Sequence, residues 1–302
     1  MDKKVLVIIP CYNEEDNIVN TVENLRAECP EVDFLVVNDC STDSSAELLR
    51  KHHYPFLDLP VNLGIGGNVQ CGYLYAVRNG YDVAVQMDGD GQHDPAYLME
   101  IVQPVLDGEC DMCIGSRFVK KEGFQTSFMR RVGIRFLSGL IFLLSGHRVL
   151  DVTSGFRATN ARMTAYFARH YAIDYPEPEA ALAAILAGFK VAEAPVIMRE
   201  RQGGVSSIHS FKSVYYMIKV SLALIIDRLS IRKSNGGPRM TAQLQLFMIL
   251  GAVVLLLIIF AIFEARADER QVQSALACAG RRAGHCGGVP LRGLRAARPV
   301  GH

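Results

Sequence analysis

Short apolar runs alternate with helical stretches throughout the first 115 residues, and this alternation constrains the fold more than any other feature. The runs that we expect to be strands are Val5–Ile9, Phe34–Val37, Phe56–Leu59, Asp82–Met87 and Met112–Gly115. Because a predicted helix lies between most successive strands, the strands need crossover connections and pair mainly in parallel. The sequence therefore predicts an α/β fold around a central, mostly parallel sheet.

Two aspartates stand where predicted strands end. Asp39 follows the second run and Asp88 follows the fourth. Ligands of parallel α/β sheets bind beyond the carboxyl ends of the strands, so both side chains are expected at the ligand-binding edge. Taken alone, Asp39 fits a hydrogen-bond acceptor for a base or ribose as well as it fits a helix-capping residue.

The second aspartate belongs to the segment Asp88-Gly89-Asp90, which ends an apolar strand. Two carboxylates that flank a glycine can point into one cleft, and the glycine leaves room for a ligand. Carboxylate oxygens suit Mg²⁺ or Mn²⁺, which often bridge to substrate phosphates. The alternative is a solvated acidic turn, because Asp-Gly pairs are common in loops. The position at a strand end favours a metal and diphosphate site.

Three later segments combine arginine, carboxylate and glycine: residues 151–157, 175–179 and 199–204. Arginine suits bidentate contact with phosphate oxygens. A glutamate such as Glu177 or Glu179 can act as a general base toward a hydroxyl. Read alone, each segment is more often a surface ion pair or the start of a helix.

The net charge of +1 is an average over unlike parts. The last 39 residues, from Glu264 onward, carry +4, which leaves −3 on residues 1–263. Without a global positive field the chain is not expected to bind nucleic acid. It also contains no glycine-lysine-serine or glycine-lysine-threonine triplet, which argues against a P-loop phosphate site.

The membrane signal lies near the C-terminus. Residues 246–263 contain no charged or strongly polar side chain, and about 18–20 helical residues nearly cross a hydrocarbon core of ~30 Å. We interpret residues 242–263 as a transmembrane helix, the alternative being a buried core helix. Phe128–Ser145 has arginines at one end and a dense apolar run, which fits a helix at a membrane interface and a core-packing helix equally well.

These signals predict the following organisation. Residues 1–232 form a globular body with two parts, 1–118 and 119–232, the second of which contains amphipathic helices. Residues 233–241 are a linker, 242–263 the transmembrane helix, and 264–302 a basic tail of low order or a frame-shifted end.

Four motifs occur in a fixed order over residues 4–118: Ile8–Glu15, Val37–Asp43, Asn62–Gly64 and Asp88–Asp90. In this order and spacing they resemble family 2 glycosyltransferases of the GT-A type. The later Ser154–Arg157 and Arg199–Gly204 resemble the polyprenyl-phosphate glycosyltransferase branch, which includes dolichyl-phosphate mannose synthases. The resemblance covers about residues 3–232. It implies that the body is catalytic, with a nucleotide-sugar-binding half at 1–118 and an acceptor half at 119–232.

The resemblance implies a nucleoside-diphosphate sugar donor that is held by Mg²⁺ or Mn²⁺. It assigns Asp88 and Asp90 to the metal and diphosphate, Asp90 also to catalysis, and Glu179, with Glu177 second, to the catalytic base. The other positions that it implies for substrate binding are Pro10, Asn13 and Glu14 at the nucleotide, Asp39 at the base, Gln92 beside the diphosphate, and Arg117, Arg157 and Arg201 at phosphate charge.

Two departures from the family pattern stand out. The glycine that usually follows the second-strand aspartate is Cys40, which is expected to tighten that turn. The acidic pair of polymer-forming members is replaced by Glu-Pro-Glu at 177–179.

The expected function is therefore the metal-dependent transfer of a sugar, with inversion at the anomeric carbon, from a nucleoside-diphosphate sugar to a lipid phosphate or a cell-surface glycan. The body is expected at the cell membrane, on the cytoplasmic side, and a homo-oligomer is left open. The alternatives are a nucleotidyltransferase and a membrane-tethered module that binds sugar nucleotides without turnover.

Overall fold

The computed structural model describes residues 3–120, 128–199 and 210–235. The strands are β1 (Val5–Cys11), β2 (Asp33–Asn38), β3 (Phe56–Asp58), β4 (Val83–Gln86), β5 (Met112–Ser116), β6 (Arg157–Asn160) and β7 (Val191–Pro195). The helices are α1 (Ile18–Glu28), α2 (Ser45–Lys51), α3 (Gly64–Arg78), α4 (Leu98–Leu106), α5 (Phe128–Ser145), α6 (Ala161–His170), α7 (Pro176–Leu186) and α8 (Ser210–Asn235).

Within the described residues the strands form one sheet in the order β3-β2-β1-β4-β6-β5-β7. The pairs β1–β2, β1–β4, β2–β3 and β5–β7 are parallel, which confirms the α/β fold with a mostly parallel sheet. Only β6 runs against its neighbours, and it lies between β4 and β5. In this register Gln86 of β4 stands opposite Arg157 of β6.

Strand β1 shows how the sheet divides the core into two layers. Its side chains alternate, so Leu6 and Ile8 enter one cluster while Val7 and Ile9 enter the other. Helices α1, α2 and α4 cover the second cluster, and α3, α5, α6, α7 and α8 contribute to the first. The two predicted halves therefore share one sheet, because β6 and β7 come from the second half.

Read from the sequence alone, the glycine-rich segment 62–67 predicts a turn before a helix that starts near Asn68, and this boundary is wrong. Helix α3 begins at Gly64, so the glycines form its first turn. The reason is packing: a Cβ at Gly66 would stand 2.2 Å from the carbonyl oxygen of Ala172. Glycine is needed here for close helix approach, and Asn62 Oδ1 accepts the Gly64 N–H at the helix start.

The C-terminal boundaries need one correction. Helix α8 continues to Asn235, so the start of the predicted linker at residue 233 is helical. Contacts divide the chain into units 1–238 and 239–302, and the second unit lies outside the described residues. The predicted transmembrane helix and basic tail lie there too. In the described part of the chain, no helix has the length and apolar character needed to cross a membrane.

Cys40 adopts a left-handed backbone, with φ of 58°. The Asp39 N–H donates to the Cys11 carbonyl just before it, which fixes the chain path from β2 into the turn. A side chain with a Cβ is unfavourable in this region by about 1–2 kcal/mol, whereas glycine is not. The turn where the family resemblance expects glycine is therefore strained by the Cβ of Cys40.

Replacing Cys40 with glycine should relieve this strain. We expect Cys40→Gly to raise the free energy of unfolding by about 1 kcal/mol, part of the gain being offset by the greater freedom of glycine in the unfolded chain. Denaturant titration measures the change. Cys40→Ala is the matched control, because it removes the thiol but keeps the Cβ. Equal stability of the two variants would contradict the explanation.

Candidate active site

The carboxyl ends of β1, β2, β4 and β5 meet at one edge of the sheet, where most expected site residues lie. Asp39 follows β2, Asp88 lies two residues after the end of β4, and Arg117 follows β5. Pro10 is in the last part of β1, paired with Val37 of β2. Asp39 and Asp88 thus both lie at the carboxyl ends of their strands, at one edge of the sheet.

The loop from Asp88 to Asp94 is shaped by glycines and internal hydrogen bonds. A Cβ at Gly89 would stand 2.8 Å from the Pro10 carbonyl oxygen, so this loop lies directly against the end of β1. Gly91 has φ of 74°, and the Gln92 N–H donates to Asp90 Oδ1 at 3.1 Å. The two glycines therefore allow a short loop that carries both carboxylates, Asp88 and Asp90, with Gln92 beside them.

His93 anchors the same loop, and the sequence reasoning missed it. Its Nδ1 accepts the Asp88 N–H at 3.0 Å, and its ring stacks on Phe156 with centroids 5.0 Å apart. Burial lowers the pKa of His93 to about 4, so the ring is neutral and its proton sits on Nε2. That nitrogen lies 3.7 Å from Asp88 Oδ2.

The chemistry of the loop fits a hard divalent cation. Asp88 and Asp90 supply carboxylate oxygens, the donors that Mg²⁺ and Mn²⁺ prefer. A Cβ at Gly155 would stand 2.9 Å from both Asp88 oxygens, so that glycine makes space for the carboxylate. Among the residues that the structure describes, no three His, Cys, Asp or Glu side chains form a metal-binding group. A cation here would complete its shell with diphosphate and water oxygens.

The residues expected at the nucleotide mostly brace the loop after β1. Asn13 Oδ1 accepts the Thr42 N–H at 2.8 Å, and the Asn13 N–H donates to Ser41 Oγ at 3.0 Å. The Glu14 N–H donates to Ser45 Oγ, and its carboxylate accepts from Asn17. These contacts connect the loop after β1 to the start of α2, and together the two segments border one side of the candidate site.

Asp39 is buried, and its Oδ1 accepts the Leu63 N–H at 2.7 Å. Asn62 also donates to the Asp39 carbonyl oxygen at 3.2 Å. The carboxylate thus fixes the segment that starts α3.

Arg117 is held by a buried carboxylate. Its Nε and Nη2 donate to the two oxygens of Asp151 at 2.7 and 2.8 Å, and Nη2 also donates to Thr153. Glu193 accepts the Leu150 and Asp151 N–H groups and thereby holds this loop on β7. The bidentate pair fastens the 146–156 loop to the end of β5.

Arg157 lies inside the sheet and has no exposed surface. Its Nε and Nη2 donate to the carbonyl oxygens of Ser154 and Glu177, each at 2.8 Å. Its Nη1 is buried without a hydrogen-bond partner in the described part of the chain. This guanidinium therefore holds the start of α7 in place, and its burial separates it from a phosphate in solvent.

Glu177 and Glu179 both lie in the first turn of α7 but face different charges. Burial raises the pKa of Glu177, the positive charge of Arg157 opposes that rise, and the negative charge of Asp88 adds to it. Burial and the nearby Asp227 and Asp174 raise the pKa of Glu179 to about 7. Glu177 is thus the carboxyl group beside the Asp88 loop.

Arg130, in the first turn of α5, also belongs to this edge and was not among the expected site residues. Burial and the like charge of Arg117 lower its pKa, and the charges of Asp151 and Glu177 act on it as well. The run of arginines in α5 was the available signal. Arg201 lies outside the described residues, and its neighbour Arg199 pairs with Asp94 at 2.9 Å.

The family model for glycosyl transferase family 2 matches residues 6–165, just over half of the chain. The chain belongs to this family. It is therefore a glycosyltransferase, as its sequence motifs indicated.

Two relatives have polyprenyl-phosphate names. A polyprenol monophosphomannose synthase of Mycolicibacterium smegmatis is 30% identical over 233 residues, covering 72% of this chain and 86% of the relative. An undecaprenyl-phosphate mannosyltransferase of Micrococcus luteus is 35% identical over 167 residues, covering 52% and 67%. The resemblance of this glycosyltransferase to the polyprenyl-phosphate branch is confirmed.

A solved structure supports the GT-A fold. Glucosyl-3-phosphoglycerate synthase from Mycobacterium tuberculosis, in complex with Mn²⁺, UDP-glucose and phosphoglyceric acid, aligns with a TM-score of 0.56 at 17% identity. The alignment covers 75% of this glycosyltransferase and 79% of that chain.

Proposed function

We propose that this glycosyltransferase moves a sugar from a nucleoside-diphosphate sugar to a polyprenyl phosphate at the cytoplasmic face of the cell membrane. The observation that carries the proposal is the Asp88–Asp90 loop, which sits on the end of β1 beside a cluster of arginine and glutamate side chains. The names of the two relatives support the acceptor class.

At the donor side, Asp88 and Asp90 would hold Mg²⁺ or Mn²⁺ against the diphosphate, with Gln92 beside them. The bound cation would supply Lewis-acid stabilisation of the leaving diphosphate. The nucleotide would bind against a surface formed by Pro10, Asn13, Glu14 and Asp39. The last three would contribute by holding in place the loops that form this surface. The Mn²⁺ and UDP-glucose of the M. tuberculosis structure support a divalent cation for this fold.

At the acceptor side, Arg117, Arg130 and Arg201 are the proposed phosphate-binding residues. Burial and the nearby charge of Arg117 lower the pKa of Arg130, so an anion between the two guanidinium groups would relieve like-charge repulsion. The phosphate oxygen would form a bond to the anomeric carbon while the bond to the diphosphate breaks, with inversion. Because that oxygen is already anionic, charge positioning dominates over proton removal.

A glycan hydroxyl is the second candidate acceptor, and it would need a base. Glu179 is proposed for that role, with Glu177 second, because a carboxyl group of pKa about 7 is suited to accept a proton near neutral pH. A nucleotidyltransferase does not fit the family assignment. A binding module without turnover is distinguished by an assay for sugar transfer.

The exposed side of α5 supports a membrane location. Val132, Phe142 and Leu143 are exposed apolar residues on one side of the helix, with Arg135 on the same stripe. The opposite side of α5 packs in the core, as the core-packing interpretation of its sequence expected, and we propose the membrane-interface role for the exposed side. Because α5 has no acidic residue, this stripe is suited to an anionic lipid surface.

Substitution of Asp90 tests the donor site. We expect Asp90→Ala to lower the rate of sugar transfer roughly 100-fold or more and to abolish metal-dependent donor binding, because one of two carboxylates is lost. Steady-state assays and calorimetry with Mn²⁺ measure both. Asp82→Ala, just before the other end of β4, is the matched control. Unchanged transfer and donor binding in Asp90→Ala would reject the site.

Glu179 separates the two acceptor classes. With a polyprenyl phosphate, we expect the rate of Glu179→Gln to stay within about tenfold of wild type between pH 6 and 8, since no base is required. With a glycan hydroxyl, the wild-type rate would rise as Glu179 loses its proton near pH 7, and Glu179→Gln would lose roughly 100-fold or more. The second result would overturn the phosphate acceptor.

A single tryptophan tests the membrane contact of α5, because the chain contains none. In full-length protein bound to vesicles with anionic lipid, we expect the fluorescence of Phe142→Trp to shift to the blue and to be quenched by brominated lipids. Met99→Trp is the control, since α4 covers the other face of the sheet. Equal emission and quenching of the two variants would argue against a lipid contact at α5.

A further inference from the structure

Gln86 is a polar side chain in the middle of the sheet. It is the last residue of β4, has no exposed surface, and lies between β1 and β6. The rest of β4 is apolar, so an amide here is unfavourable unless both of its ends form hydrogen bonds.

Both ends of this amide have partners. The Tyr171 hydroxyl donates to Gln86 Oε1 at 2.9 Å, and Gln86 Nε2 donates to Asp88 Oδ1 at 3.4 Å. The second bond is long, so its direction depends on how the amide is oriented. If the amide turned over, its oxygen would face the carboxylate and its nitrogen would face the hydroxyl. The Asp88 carboxylate can only accept a hydrogen bond, so it favours the orientation in which Nε2 faces it, and the Tyr171 hydroxyl stabilises that orientation by donating to Oε1.

Tyr171 is itself fixed by aromatic packing. It follows α6 and is buried, with its ring centroid 4.9 Å from that of Phe167 and 5.3 Å from that of Tyr73. Burial raises the pKa of Tyr171 well above its usual range, so the hydroxyl keeps the proton that it donates. The packing of α6 on α3 thus sets the position of a donor at the end of β4.

Gln86 and Tyr171 are neutral, so they orient Asp88 without bringing a positive charge to it. Asp151 shows the contrast, because the guanidinium of Arg117 binds both of its oxygens. A carboxylate that is meant to hold a cation is served better by neutral donors than by an arginine.

We propose that Gln86 and Tyr171 are positioning residues: the Tyr171–Gln86–Asp88 chain of hydrogen bonds holds the Asp88 carboxylate in the orientation that binds a divalent cation and a nucleoside diphosphate. The inference rests on the proposed function, because it requires Asp88 to bind that group. Hydrogen-bond partners of metal ligands typically change metal affinity by roughly 10- to 100-fold.

The test compares two tyrosines that differ in this one bond. Tyr171→Phe removes the hydroxyl that donates to Gln86, whereas Tyr73→Phe removes the hydroxyl of a neighbouring buried ring that forms no hydrogen bond with Gln86. Mn²⁺ is titrated onto full-length protein in detergent, with UDP or GDP present, and free Mn²⁺ is followed by electron paramagnetic resonance. We expect roughly 10-fold weaker Mn²⁺ binding in Tyr171→Phe and wild-type binding in Tyr73→Phe.

A double variant separates positioning from general damage to the core. Gln86→Met removes the amide and should weaken Mn²⁺ binding about as much as Tyr171→Phe does. Because Tyr171 acts through Gln86, the double variant should show no further loss. Wild-type binding in Tyr171→Phe, equal losses in both tyrosine variants, or additive losses in the double variant would each overturn the inference.

The same titration distinguishes this inference from the function on which it rests. If wild type binds Mn²⁺ no better than Asp90→Ala does, the proposed donor site fails and the inference fails with it. If wild type binds Mn²⁺ and Asp90→Ala does not, while Tyr171→Phe matches wild type, the donor site stands and only the positioning role is refuted.

Discussion

The site depends on one register, in which Arg157 of β6 stands opposite Gln86 of β4 in the interior of the sheet. A guanidinium without exposed surface is costly unless nearby groups compensate it. Two carbonyl oxygens and the charge of Glu177 provide that compensation, and one of those carbonyls belongs to Glu177 itself. The buried charge therefore fixes the start of α7 against the sheet. The charges of Arg157 and Asp88 both influence the pKa of Glu177, so the buried guanidinium is electrostatically linked to the candidate metal-binding loop.

The charged residues of this edge fall into two groups according to the hydrogen-bond partners that they already have. Arg117 binds both oxygens of Asp151, which fastens a loop, and Asp39 fastens the start of α3. Asp88 and Asp90 instead receive hydrogen bonds from neutral donors, namely the Gln86 amide and the Gln92 N–H. Aspartate therefore has a structural role at some positions of this edge and is available to a ligand at others. Burial and hydrogen-bond partners determine which role each aspartate has, and sequence motifs do not contain that information.

The sequence predicted what depends on local patterns. Apolar runs located the first five strands, and strand ends located Asp39 and Asp88, because crossover connections bring carboxyl ends to one edge. It missed β6, since the polar segment Arg157–Asn160 has no apolar run and becomes a strand only by pairing with β4 and β5. The glycine-rich segment at the start of α3 was wrongly assigned to a turn, because the requirement for glycine there comes from close contact with a distant carbonyl oxygen, that of Ala172.

The same limit applies to the positioning residues. Tyr171 and Gln86 are 85 positions apart, so no local pattern joins them. The one signal was a glutamine that ends an otherwise apolar strand, and it could have marked Gln86 as a buried polar group in need of partners. The mutual approach of Arg130 and Arg117 likewise required the fold. The motifs therefore identified the edge and its chemistry, while long-range packing determined which side chains act there.

Helix geometry places the two glutamates of α7 in different surroundings. At 3.6 residues per turn, positions separated by two lie about 200° apart around the axis, so they face different surroundings. The charges of Arg157 and Asp88 accordingly act on Glu177, and those of Asp227 in α8 and Asp174 act on Glu179. With the Glu-Pro-Glu spacing the two carboxyl groups are therefore in different electrostatic environments, which an adjacent acidic pair would share to a greater extent.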